Sequence, residues 1–158
     1  MRIPLVILLL TTVPLIGTAS FTGHSDPFSL TISTKDATVK SGAEVRIAIT
    51  LTNTSNNDLA FFNTSRECDY SVWIRDADGK LVADTEHKRK LRCSGGNTLN
   101  ANILVRLKAQ ESIKEEMVVS DLGDMTIPGT YSIQVIRKIP RISQDFIKSN
   151  IINVSVTE

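Results

Sequence analysis

The sequence predicts an all-β protein: an immunoglobulin-like antiparallel β-sandwich of about eight or nine strands. Three observations carry that prediction. In residues 44–55, EVRIAITLTNTS, Val45, Ile47, Ile49 and Leu51 fall on one face. Arg46, Ala48, Thr50 and Thr52 fall on the other. A strict period of two in β-branched residues is the mark of a half-buried strand, and the Asn-Thr-Ser that closes it is a turn signal. The same spacing then returns along the chain between turn residues, and no helical repeat is evident beyond the N-terminus. Finally, Ile127-Pro-Gly-Thr-Tyr131 opens a strand with a tyrosine just after a Pro-Gly turn. That is the pattern of a tyrosine corner, which decides for a sandwich over a barrel; the plainer reading of Tyr131 is a core residue after a turn.

Residues 1–20 stand apart. Arg2 precedes the apolar run 3–17, and Thr18-Ala19-Ser20 supplies small residues, so cleavage after Ala19 or Ser20 fits a secretory signal peptide. The alternative is an uncleaved anchor. Against it, the run is shorter than the roughly 20 residues a spanning helix needs, and Pro4 and Pro14 interrupt it. Residues 21–27 read as a polar linker and 28–158 as the domain.

Within the domain, Phe28, Leu30 and Ile32 alternate with polar residues as a first strand, and Ser41-Gly42 turns the chain into the strand at 44–55. Residues 59–63 form a short apolar strand. Tyr70, Val72 and Ile74 face inward from the next, leaving Trp73 outward. Asp76-Ala-Asp-Gly79 predicts a hairpin into a strand at 80–83. Residues 84–100 are irregular. The period resumes at Ile103, Val105 and Leu107, then at Ile113, Met117 and Val119 with Glu115 breaking the face. A connection at 121–129, with room for one helical turn, leads to strands at Tyr131, Ile133, Val135 and at Ile152, Val154, Val156. If every connection crosses end to end, the 76–79 hairpin lies with 53–57, 109–111 and 138–148. The opposite end then holds 64–67, the Cys93 segment and 121–129, which brings Cys68 and Cys93 together.

The 158 residues are 41% hydrophobic with a net charge of +1. That is one domain with a sizeable core and no general attraction to nucleic acid or anionic membrane. After signal cleavage, no stable membrane insertion is expected. Cys68 and Cys93, an even count in an exported chain, predict one disulfide. By chain entropy it is worth about 3 to 3.5 kcal/mol. Two thiols or a metal pair are the alternatives, but neither cysteine has a CxxC partner and His87 has no second ligand at a recognised spacing.

The series Leu51-Thr-Asn-Thr-Ser, Leu59-Ala-Phe, Asp76-Ala-Asp-Gly-Lys-Leu-Val, Leu107-Lys-Ala-Gln-Glu-Ser and Pro128-Gly-Thr-Tyr-Ser-Ile covers roughly the middle two thirds of the chain. It resembles the small immunoglobulin-like domains that precede the catalytic part of deuterolysin-type metalloproteases, and is similar to the intracellular proteinase inhibitor family. The resemblance implies the sandwich fold. Two departures stand out: Ala109-Gln110 replaces the usual Pro-Gly before Glu-Ser, and the zinc motif HExxH is absent, so no hydrolase activity carries over. Proteinase inhibition is what the second family implies, although that family acts inside cells.

No GxSxG, Walker loop or GxGxxG occurs. His24 and His87 sit in polar surroundings outside any motif, and no cofactor is implied. Asp76 and Asp78 could be half a calcium loop, but the following Gly-Lys-Leu-Val continues as a strand without a later bidentate carboxylate. Lys88, Arg89, Lys90 and Arg92 are the densest basic cluster, tempered by Asp84 and Glu86; such a run is either a docking patch or a solvated loop. Arg137, Lys138 and Arg141 form a second basic group. The outward Trp73 is the sharper candidate, a recognition anchor unless Arg75 or an added strand covers it. Asn53, Asn63 and Asn153 stand in N-x-S/T acceptors. The expectation is a secreted or periplasmic non-enzymatic module, structural or binding a protein or glycan, with proteinase inhibition as the alternative.

Overall fold

The computed structural model describes residues 26–91, 93, 103–143 and 145–158. The predicted signal peptide, linker residues 21–25, Arg92 and residues 94–102 lie outside the described residues. The strands are β1 (Phe28–Ser33), β2 (Thr38–Lys40), β3 (Arg46–Asn53), β4 (Leu59–Asn63), β5 (Tyr70–Arg75), β6 (Ile103–Leu107), β7 (Ser112–Val118), β8 (Gly129–Arg137) and β9 (Ile147–Thr157). Two short helices, α1 (Arg66–Asp69) and α2 (Glu86–Lys90), and a 3-10 turn at Val119–Asp121 complete the described elements.

The predicted organising strand is central. One sheet runs β1-β3-β7, the other β2-β9-β8-β5, and β4-β6 form a separate two-stranded ribbon. First, third and seventh strands on one layer, with fifth, eighth and ninth on the other, give the layering of an immunoglobulin-like sandwich. Ile47, Ile49 and Leu51 of β3 are buried against Ile133, Val135 and Val154 of the facing sheet. Each such side chain contributes roughly 1.5–3 kcal/mol of burial.

The structure departs from expectation at six places. Residues 80–83 are not a full strand. The Asp76 carboxylate accepts from the Asp78 and Lys80 N–H groups, closing a tight turn, and Val82 N–H donates to the Ile74 carbonyl. The chain then leaves β5 for the other wall: Asp124 N–H donates to Ala83 and Thr85 N–H to Leu122. The predicted hairpin therefore begins, with Leu81 bridged antiparallel to Arg75, but its second arm runs on as a strap instead of a full strand.

β2 was not legible, because three residues with only Val39 half-buried show no period. It pairs parallel with β9, so the sandwich is not wholly antiparallel. β9 begins at Ile147, well before the predicted strand. A register shift opposite Gln134 and Ile136 breaks its alternation between Ser149 and Ile152, so the period is readable only after the break. In the stretch expected to be irregular, the Thr85 side chain accepts from Lys88 N–H at 3.1 Å and caps α2.

The 76–79 turn lies beside the 121–129 connection, not opposite it. β5 and β8 pair antiparallel with Arg75 facing Ser132, so the end of one meets the start of the other. Finally, the end of the predicted linker belongs to the fold, since the Pro27 carbonyl accepts from Thr54 N–H.

The two layers are also stitched by a side chain. Asn150 accepts from Ile32 N–H at 2.8 Å and donates to the Ile32 carbonyl at 3.0 Å, imitating a strand neighbour for β1.

Candidate functional site

Trp73 is held outward by the alternation of β5, whose inward residues Tyr70, Val72 and Ile74 are buried. β5 is an edge strand, and the indole remains 40% exposed. The Arg75 guanidinium lies 5.9 Å from its ring centroid, within cation–π range, so Arg75 flanks the ring without hiding it. Across the sheet, Trp73 faces Gln134, which faces Ile151. Ile151 is 62% exposed, and the Gln134 amide is fixed by donating to the Ser149 carbonyl at 2.9 Å. The outer face therefore carries a row of indole, amide and isoleucine.

Sequence reasoning missed Gln134 and Ile151. The signal for the second was present: Ile151 and Ile152 are consecutive, so if Ile152 turns inward Ile151 must turn out.

Beside the row, a cleft of about 170 Å³ brings Trp73 together with Lys88, between β5 and the strap. Among the described residues, Asp84 is the only carboxylate lining it. The basic cluster as a whole is weaker than its sequence implied. Lys88 pairs with Asp84 at 2.7 Å and Lys90 with Glu86 at 2.6 Å, both one helical turn apart. Arg89 is exposed, and Arg92 lies outside the described residues. The i,i+4 spacing thus cancels much of the field that a docking patch would need.

Of the second basic group, Lys138 and Arg141 are exposed but Arg137 is not at the surface. Arg137 is 3% exposed. Its Nη1 donates to the Tyr70 hydroxyl at 2.9 Å and its Nη2 to Asn63 Oδ1 at 2.5 Å, with the Asp69 carboxylate at 3.8 Å. The guanidinium also lies over the Phe61 and Tyr70 rings. Tyr70 in turn donates to Glu115 at 2.8 Å, which explains a glutamate on the inner face of β7. Burial pushes the Tyr70 hydroxyl pKa well above its ordinary value, and the Glu115 carboxylate raises it too against the lowering effect of Arg137. A buried cation whose Nη1 and Nη2 both have partners within the chain holds the fold together rather than presenting its charge at the surface. Lys138, by contrast, is exposed over the Phe146 ring.

Cys68 and Cys93 form a disulfide with Cα atoms 5.1 Å apart, stapling α1 to the chain just beyond α2. Tyr131 donates to the Ile127 carbonyl at 2.6 Å, the bond that defines a tyrosine corner. Its hydroxyl is pushed up by burial and then by the Asp124 and Asp76 carboxylates. Among the N-x-S/T asparagines, Asn53 is fully buried, with its amide nitrogen donating to the Asn57, Leu107 and Lys108 carbonyls. Asn63 is held by Arg137, while Asn153 is exposed on the outer face of β9. His87 is exposed, and His24 lies outside the described residues. Among the described residues, no three His, Cys, Asp or Glu side chains gather as a metal site.

No known protein family matches the sequence. No curated protein matches it either. Solved structures with a similar outline include the CARDB domain of a Pyrococcus furiosus protein in complex with di-metal ions: 13% identity, 82% of this chain and 87% of that one, TM-score 0.45. A β-glucosidase from Listeria innocua in complex with glucose aligns at 16% identity over 83% of this chain and 16% of its own, TM-score 0.42. An alkylpurine DNA glycosylase of Pseudomonas fluorescens aligns at 11% identity over 85% and 31%, TM-score 0.43. Likenesses of this size assign no activity to the chain. The fold rests on its own strands: an all-β, immunoglobulin-like sandwich carrying one disulfide.

Proposed function

We propose that this chain is an exported, non-catalytic module that binds a protein or a glycan through the outer face of β5 around Trp73. The observation that carries the reading is the exposed indole at a sheet edge, aligned with Gln134 and Ile151 and sharing a cleft with Lys88. An aromatic ring, a fixed amide, an isoleucine and an ammonium paired to a carboxylate suit recognition of a surface. Asp84, the carboxylate lining the cleft, is already paired to Lys88. Export is supported by the disulfide, which persists in oxidising compartments. No helix among the described residues is long and apolar enough to cross a membrane.

The test is capture from the native extracellular fraction and on a glycan array, comparing the natural chain with Trp73→Ala and Lys88→Glu. Truncating a central aromatic anchor is expected to lower affinity by roughly 30-fold or more. Capture that is equal for all three proteins removes this surface from consideration.

A further inference from the structure

Beyond the strap from Trp73 lies a larger cleft, of about 500 Å³, between the 76–83 turn and the 124–131 connection. It is lined by the exposed side chains of Leu81 and Ile127 and by the more buried Val82 and Tyr131. Ile127 is 71% exposed, more than any other large apolar side chain among the described residues. The rim carries Asp76, Asp78 and Asp124 against Lys80 alone, three carboxylates to one ammonium.

The walls are fixed. The Tyr131 hydroxyl pins the Ile127 carbonyl, and Asp124 N–H ties one wall to the other at the Ala83 carbonyl, 2.9 Å away. The Asp124 carboxylate accepts from Thr126 N–H and Oγ1, which holds its pKa below the ordinary range and keeps it charged. An apolar side chain exposed on a fixed loop loses little freedom when covered, so its burial is available to binding.

We propose that this cleft receives a short extended peptide segment of a partner protein, with one aliphatic side chain between Leu81 and Ile127 and a lysine or arginine directed at Asp78 and Asp124. The aliphatic walls select the first group, and the acidic rim selects the second. A sugar would stack on an exposed aromatic ring, but among the described residues the only aromatic ring lining this cleft is Tyr131, which is buried. The surface is separate in function from that of Trp73, although Leu81 and Val82 line both clefts.

The probe is a blocked Gly-Lys-Leu-Lys-Gly peptide titrated into the 15N-labelled protein at low salt, with Gly-Glu-Leu-Glu-Gly as its counterpart. Expected are amide shifts confined to residues 76–83 and 124–131, and binding at least about tenfold weaker for the acidic peptide. Ile127→Ser, an exposed position whose fold is checked by circular dichroism, is expected to weaken the basic peptide about tenfold. Asp78→Lys is expected to weaken it as well, and Trp73→Ala is expected to leave it unchanged. No shifts, shifts elsewhere, equal binding of both peptides, displacement of the peptide by a second copy of the chain, or a neutral oligosaccharide shifting the same amides would each overturn the proposal.

Discussion

Trp73 and Arg137 sit on neighbouring strands of one sheet and break the usual rule in opposite directions. The aromatic ring faces water, and the guanidinium faces the core. The difference lies in their surroundings. Arg137 is met by Asn63, Asp69, Tyr70 and two aromatic rings, so its burial is compensated within the chain. Trp73 has Arg75 at its flank and remains open. An inversion with every partner supplied belongs to stability; one left open points outward to something else.

The comparison breaks most readily at Arg137. Arg137→Met strips the cation from Tyr70, Asn63 and Asp69, and is expected to cost about 3–5 kcal/mol in urea unfolding with the disulfide intact. A loss under about 1 kcal/mol would show that the cluster is not structural. Replacing Cys68 and Cys93 together by alanine releases the staple next to Asp69, with an expected loss of about 3 to 3.5 kcal/mol by the same measurement.

A pH series sharpens the contrast further. Because the folded Tyr70 and Tyr131 pKa values are raised, the unfolded hydroxyls ionise first as pH climbs. The stability from these groups is therefore complete below about pH 10 and declines above it. The urea midpoint is expected to fall across that range, and to fall less steeply in Tyr70→Phe. The smallest effect on folding belongs to Trp73→Ala, which gives up one exposed cation–π contact and is expected to move stability by no more than about 1 kcal/mol while weakening capture roughly 30-fold or more.

The same pair shows what the sequence could disclose. Trp73 was readable because β5 alternates without interruption, and an unbroken period assigns every side chain to a face. β1 and β3 were readable for the same reason, and β8 as far as Val135. Arg137 was not. Its burial depends on Asn63, Asp69, Tyr70 and Glu115 from four other elements, and no local spacing brings those together. The one local hint was Glu115 at an inward position. β2 was too short to show a period, and the bulge in β9, opposite Val135, shifted its pattern partway along. α2 is a single capped turn whose Asp84–Lys88 and Glu86–Lys90 spacing was present in the sequence but read as a cluster of charge instead of a set of pairs. The cleft at Ile127 escaped because end-to-end crossing of every connection puts its two walls at opposite ends, whereas β5 and β8 bring them side by side.

The crossing of the chain from β1 to β2 has one more consequence. β9 is the longest described strand, and without its companions its outer side would present a template for endless strand-by-strand addition. β2 covers Ser155 to Thr157, and the nearby Asn150 amide is committed to Ile32. The handover between layers thus also blunts the edge best suited to seeding fibres. Three residues too short to announce themselves guard the molecule against growing into its neighbours.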